Sequence, residues 1–159
     1  MNQSDNQPIT DRLFSCLVYF LPLFDGLSFG AFVFRQLHLE SVFAVLFVIY
    51  RSLPLQPFTN LILFFVFLFA IVRNPNVAHF IRFNTMQALL LDIVLLLCGL
   101  ILDLLRGGLS GGLLVETLYN TVFFGLVAAI GYSVFQSIRG QYAEIPVLSD
   151  AVRMQVRDF

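Results

Sequence analysis

Four long apolar runs constrain this chain more than any other feature of its sequence. They lie at about residues 13–34, 52–72, 86–105 and 116–138. A membrane span needs about 20 mostly apolar residues, because about 30 Å of hydrocarbon is crossed at about 1.5 Å per residue. Each run reaches that length. The sequence therefore predicts an all-α, polytopic integral membrane protein with four transmembrane helices.

The composition agrees with a membrane location. Of the 159 residues, 58% are hydrophobic and 12% are charged, whereas charged residues make up about 25% of a typical soluble domain. A chain of this size cannot hide so much apolar surface in its own core, so the lipid bilayer is its first expected partner. The net charge of -1 gives no indication of a nucleic-acid partner.

Two shorter segments accompany the four predicted spans. The apolar run Ser41–Tyr50 has ten residues and would reach only about 15 Å as a helix, so it either lies at the interface or dips partway into the bilayer. Near the C-terminus, Ser149 is a candidate N-cap for a short amphipathic helix. Its apolar stripe would be Leu148, Val152, Val156 and Phe159. We expect that helix to lie on the membrane or to touch a partner.

These segments divide the chain into a polar tail (1–12), a transmembrane domain (13–138) and a C-terminal tail (139–159). The first tail has neither the basic opening of a signal peptide nor the Arg- and Ser-rich character of a transit peptide, so the first apolar run is expected to stay as a membrane helix. Arginines in short loops set orientation. Six of them fall on the side of both termini and three on the other, which predicts cytoplasmic or stromal termini.

Acidic side chains within the predicted spans are the main anomaly, because an aspartate at mid-bilayer costs about 2.5–3.5 kcal/mol. Asp25 follows Pro22 in the first span, and either faces a protein-lined cavity or lies shallower in a bent segment. A candidate polar seam consists of residues that share one helical face of the third span, together with Asp25 of the first. Its members are Asp25, Thr85, Asp92, Gly99 and Asp103. The seam either lines a wet path or fixes helix packing.

A second polar cluster precedes the third predicted span. The segment His79–Thr85 is expected to form a loop, with basic and amide groups interleaved with phenylalanines. The cluster is Arg73, His79, Arg82, Asn84 and Gln87. It either docks partner subunits or anchors the chain at the interface, with aromatic rings at headgroup depth and arginines on phosphate.

Sequence signatures of catalysis are missing. There is no H-E-x-x-H, no paired C-x-x-C and no phosphate-binding P-loop. Gly108-Leu109-Ser110-Gly111 matches a serine-protease pattern, but both histidines precede it, so we treat the match as coincidence. Cys16 and Cys98 lie in apolar runs and are expected to be buried hydrophobes. We predict a non-enzymatic protein without cofactor or metal.

Several sequence blocks together resemble a known family. The most specific is HFIRFNTMQALLLDI, from His79 to Ile93. The others are YFLPLFDG at 19–26, VRN at 72–74, ETL at 116–118 with Asn120, YS at 132–133, and RGQYAEIP at 139–146. They are similar to the twenty-kilodalton subunit of the translocon at the inner chloroplast envelope, the Tic twenty family, with its cyanobacterial and plastid-encoded relatives.

The resemblance implies a four-helix membrane protein with both termini cytoplasmic or stromal. Family members in chloroplasts form part of an import channel within a larger complex. The implied partners are other membrane subunits or further copies of this chain, and a translocating polypeptide. The implied locations are a cyanobacterial plasma or thylakoid membrane, or the plastid inner envelope. Transport of a small solute or ion, and a scaffold role in assembly, are the alternatives.

Overall fold

The computed structural model describes residues 7–52, 58–108, 112–146 and 148–157, and these residues contain helices and turns without a strand. The elements are α1 (Ile9–Leu17), α2 (Phe20–Gly26), a 3₁₀ turn (Leu27–Gly30), α3 (Ala31–Gln36), α4 (Glu40–Arg51), α5 (Thr59–Phe67), a π-helical turn (Leu68–Val72), α6 (His79–Gly108), α7 (Leu113–Ile138) and α8 (Leu148–Arg157). The all-α prediction is confirmed.

Three helices are long and apolar enough to cross a membrane. They are Ile9–Gln36, which combines α1 to α3, His79–Arg106 and Leu113–Ile138. In the most apolar windows of α6 and α7, only 28% and 22% of residues are buried within the chain. Their remaining apolar surface therefore needs lipid or another subunit to cover it. Thr59–Val72 is a shorter apolar helix.

Regular α-helix is interrupted in the first long helix between α1 and α2, and again at the 3₁₀ turn. Pro22 lies in the first turn of α2, where a missing N–H costs little. The interruptions therefore lie on either side of α2 and not at Pro22 itself. The chain stays helical at both, because the residues that flank α2 and the 3₁₀ turn keep helical backbone angles.

The loop predicted for His79–Thr85 was wrong, because α6 begins at His79. The amide of Asn84 donates to the carbonyl of Phe80 at 2.9 Å, and Thr85 Oγ1 donates to the carbonyl of Ile81 at 2.8 Å. Asn84 and Thr85 have no exposed surface. These polar side chains are accommodated inside the bundle, so they do not end the helix.

Helix α6 is the centre of the bundle, in contact with α1, α2, α7, α8 and the π-helical turn. One apolar cluster joins it to the first long helix and α7, through residues such as Phe29, Leu95 and Leu126. A second cluster joins it to α8 and the π-helical turn, through Leu89 and Val152. Helix α6 therefore contributes to both apolar clusters.

Side-chain contacts establish which helix ends lie together. Arg12 Nη1 donates to the carbonyl of Ile138 at 3.4 Å, so the start of α1 meets the end of α7. Arg35 and Glu116 are 3.9 Å apart, which brings the end of α3 to the start of α7. Both ends of the transmembrane domain thus lie on one face of the bundle, and α3 ends on the other.

The segment between Gln36 and His79 returns the chain from one face to the other. Helix α4 packs antiparallel along α3, because Phe34 contacts Phe43 while Tyr50 reaches back to Asp25. Beyond α5, the carbonyl of Val72 accepts from Arg82 Nε at 2.8 Å. Residues 53–57 of the predicted span 52–72 lie outside the described residues.

The predicted amphipathic helix near the C-terminus exists, but two details were wrong. It begins at Leu148, so Ser149 is in its first turn rather than at the N-cap. Its apolar face packs on α6, with Val152 and Val156 at 0% and 1% exposure, instead of lying on the membrane or a partner. Burying this face within the chain stabilises the tail. Phe159 lies outside the described residues.

Candidate functional site

An acid pair lies near the middle of the bundle. Asp25 and Asp92 line the same cleft, and their carboxyl groups are near enough to interact electrostatically. Asp92 is near the midpoint of the candidate span His79–Arg106. Two carboxyl groups so close together in a medium of low dielectric repel strongly when both are ionised, so the pair needs a proton or a counter-charge.

Neutral donors surround only one member of the pair. Asn60 Nδ2 donates to Asp25 Oδ1 at 2.5 Å, and the Tyr50 hydroxyl donates to the same oxygen at 3.2 Å. Asp92 Oδ1 is buried and has no hydrogen-bond partner. A buried acceptor left without a donor is costly. This oxygen is therefore the incomplete part of the site.

The acid pair opens into a cleft of about 540 Å³, within the size range of ligand pockets. Polar groups of Asp25, Ser28, Asn60 and Asp92 line it. Its apolar wall consists of Phe29, Leu61, Phe64, Phe65, Ile93, Leu95, Leu96 and Gly99. The cleft exists because α5 contacts α6 chiefly through the π-helical turn at its end, so the opposite end of α5 diverges from α6.

The predicted polar seam is only partly assembled in one place. Asp25, Asp92 and Gly99 line the cleft, which favours the protein-lined cavity over the shallower position for Asp25. Thr85 is fully buried and Asp103 is exposed, where its Oδ1 accepts from the Tyr119 hydroxyl at 3.4 Å. Neither belongs to the cleft.

Sequence reasoning missed the two donors of the site. Asn60 is a polar side chain that, with Thr59, opens a helix whose other residues are apolar, a signal similar in kind to the one that selected Asp92. Tyr50 gave no such signal, because a tyrosine at the end of an apolar run is typical of the membrane interface. Only the antiparallel packing of α4 on α3 brings its hydroxyl to Asp25.

The second predicted cluster separates into exposed and buried residues. Arg73 and His79 are exposed, whereas Arg82, Asn84 and Gln87 have 4%, 0% and 0% exposure. Tyr142 packs on Phe80 and Phe83, and burial raises the pKa of its phenol. The protonated hydroxyl lies 3.0 Å from His79 Nδ1. Only the exposed pair can meet a partner without rearrangement of the bundle.

The buried amides belong to a hydrogen-bond network that joins the first long helix, α6 and α7. Asn84 Oδ1 accepts from Tyr19 at 2.9 Å and from Ser137 at 3.0 Å. Gln87 Nε2 lies 3.1 Å from both the Tyr19 hydroxyl and Ser133 Oγ. Because each amide bonds to both neighbouring helices, the network fixes the register of α6 against them.

The chemistry of the cleft is that of an acceptor site. Its polar groups are the carboxyl groups of Asp25 and Asp92, the amide of Asn60 and the hydroxyl of Ser28, and the Tyr50 hydroxyl contacts Asp25 from outside the cleft lining. Within ranges 7–52, 58–108, 112–146 and 148–157, no three His, Cys, Asp or Glu side chains are grouped as for a metal ion. Ser110, of the protease-like match, lies outside the described residues.

Comparison with known proteins gives matches over nearly the whole chain. A family model described as "Chloroplast import apparatus Tic20-like" matches residues 5–152. A "Tic20 family protein" of Synechocystis sp. is 46% identical over 155 residues, covering 92% of this chain and 93% of the relative. Sequence and structure thus point to the same class of membrane protein.

Eukaryotic relatives match at lower identity. "Protein TIC 20-v, chloroplastic" of Arabidopsis thaliana is 32% identical, over 96% of this chain and 74% of that protein. "Tic20 family protein Ycf60" of Gracilaria tenuistipitata var. liui is 36% identical, over 93% and 76%. The matches therefore extend from a cyanobacterium to a plant and a red alga.

Proposed function

The chain belongs to the Tic20 family, and from this membership we propose that it is a non-enzymatic membrane subunit of a protein-translocation complex. The family match over residues 5–152 is the observation that carries the proposal. The cleft at mid-depth supports it, because a polar surface within the bilayer offers a transiting backbone hydrogen-bonding groups that lipid lacks. A chain this small requires other subunits or further copies of itself to enclose a path for a polypeptide.

The topology belongs to the same proposal. The chain crosses the membrane four times, with both termini on the cytoplasmic or stromal side. Helices α4 and α5 together make the second crossing, because each has about half the length of a membrane span. The end of α4 and the start of α5 meet at Asp25, through Tyr50 and Asn60. The contact of Arg12 with Ile138 supports termini on one side, and the arginine distribution supports which side that is.

The location follows from the relatives. The membrane is a cyanobacterial plasma or thylakoid membrane, or the inner envelope of a plastid. Arg73 and His79 are exposed on the face of the termini, where other subunits can contact them. The polar seam, reduced to Asp25, Asp92 and Gly99, contacts the translocating polypeptide in this proposal.

The test is crosslinking to a polypeptide arrested in transit. Single cysteines replace Asp92 and Gly99 in the cleft, and a cysteine at Leu104, which is 80% exposed and outside the cleft, is the matched control. The two cleft positions should crosslink to the arrested chain and Leu104→Cys should not. Labelling of all three positions by lipid alone would contradict the proposal.

A small-solute or ion channel is the second candidate function, and the acid pair is the observation that favours it. Purified protein in liposomes would then conduct a tested solute or ion, and Asp92→Asn would change the flux. If there is no flux, or if the flux is the same in Asp92→Asn, the channel function is ruled out. Neither result bears on the proposal of protein translocation.

A further inference from the structure

The acid pair has no cationic partner in its own cleft. The residues that line the cleft include Asp25 and Asp92 but no arginine or histidine among the described parts of the chain. Arg51 is adjacent in sequence to Tyr50, yet it is exposed and lies over the Phe47 ring, 5.2 Å from its centroid. The sequence contains no lysine, so a counter-charge for these acids would be supplied by a group outside the described residues that line the cleft.

The shape of the cleft favours a helix as the element that carries this counter-charge. Its rim carries large apolar side chains that remain exposed, with Leu61 at 56%, Phe65 at 46% and Leu96 at 62%. Gly99 lies on the same wall, and a Cβ atom there would meet only Phe29 at 3.6 Å. An apolar rim with a glycine allows close approach of a helix backbone in the membrane.

We propose that this cleft binds a basic side chain, arginine or lysine, carried at mid-depth on a transmembrane helix of another polypeptide. The apolar stem of such a side chain matches the apolar walls, while its charged end reaches the carboxyl groups. The carboxyl group of Asp92, which lines the cleft, accepts the new hydrogen bond. The proposal goes beyond translocation, since it requires only that the cleft lies within the bilayer.

A bare metal ion fits the cleft less well than a helix does. Hard cations take six or more oxygen ligands, and Asp25 already accepts two hydrogen bonds at Oδ1. A guanidinium or ammonium group needs only acceptors for its N–H bonds. The carboxyl groups of Asp25 and Asp92 supply these acceptors, and the remaining volume of the cleft accommodates the stem.

The test uses synthetic transmembrane peptides with the purified protein in lipid vesicles. Each peptide has a leucine- and alanine-rich span, one central guest residue and a photoreactive side chain one turn away. The guest is arginine, leucine or glutamate. The arginine peptide should crosslink several-fold more than the other two, at residues 61–65 and 93–99. Equal crosslinking yields for the arginine and leucine peptides would overturn the proposal. Equal yields are the result expected if both carboxyl groups are protonated and neutral.

Variants of the chain assign the effect to the cleft. Asp92→Asn, alone or with Asp25→Asn, should lower the arginine crosslink to the level of the leucine peptide. Asp103→Asn, which alters an exposed acid outside the cleft, is the matched control and should have no effect. Gly99→Leu retains both acids and should abolish the crosslink by filling the groove. Persistence of the arginine preference in both Asp92→Asn and Gly99→Leu would also overturn the proposal.

Discussion

Gly26 of α2 packs directly against Leu126 of α7, so closely that a Cβ atom added at Gly26 would overlap Leu126 Cδ2. Leu126 is 4% exposed and belongs to the apolar cluster between the first long helix, α6 and α7. The absence of a side chain at Gly26 therefore sets the distance between two membrane helices.

Gly26→Ala should destabilise the protein by about 1–3 kcal/mol, the usual cost of overpacking a core. In a double-mutant cycle with Leu126→Ala, the two losses should be less than additive, because the new methyl group occupies part of the cavity that Leu126 leaves. Thermal unfolding in detergent, followed by circular dichroism, measures both effects.

The matched control is Gly125→Ala, one position before Leu126. A Cβ atom there meets nothing within 4 Å, so the substitution should be neutral or slightly stabilising through helix propensity. Equal destabilisation by Gly26→Ala and Gly125→Ala would show that glycine content, and not the contact with Leu126, matters at these positions.

Gly140→Ala should destabilise the end of α7 for two reasons. Gly140 has φ of 71°, a conformation that costs an L-residue about 1–2 kcal/mol. The added Cβ would also lie 2.9 Å from Arg12 Nε, displacing the guanidinium that donates to Ile138. The loss of stability should therefore exceed that of Gly131→Ala, whose Cβ meets nothing within 4 Å. Unfolding temperatures of the two variants decide the comparison.

Asn84→Leu should be among the most destabilising changes in α6. Asn84 accepts from both Tyr19 and Ser137, and each buried donor left without a partner costs about 1–3 kcal/mol. Adding Ser137→Ala removes one hydroxyl whose side-chain partner is Asn84, so the double variant should recover part of the loss in thermal unfolding. If Ser137→Ala makes Asn84→Leu worse, the network does not act through this bond.

The lengths of the apolar runs were enough to predict α6 and α7, because membrane thickness fixes the length of a spanning helix. The start of α6 could not be predicted in the same way. Asn84 and Gln87 are polar, and their partners Tyr19, Ser133 and Ser137 are far away in the sequence. Polar residues in a sequence predict a loop when the partners of their hydrogen bonds lie far away in the sequence.

The candidate site was predicted as far as its acids. Asp25 and Asp92 were singled out because charge is unusual within an apolar helix. Gly99 was singled out because it shares a helical face with Asp92 and allows close approach of a neighbouring backbone. Thr85 and Asp103 share the face of α6 with Asp92, but a common face does not place residues at a common depth. The contribution of Tyr50 depended on the path of α4, which ten apolar residues do not determine.

Val152→Asp should detach α8 from the bundle. Val152 is fully buried against α6, and a carboxylate there would be desolvated without a partner. Met154 is 69% exposed, so Met154→Asp is the matched control. Limited proteolysis of vesicles should cleave the connection at residues 141–146 rapidly in Val152→Asp only. Similar cleavage of the two variants, at the rate of the unmodified protein, would show that α8 is held by something other than this apolar face.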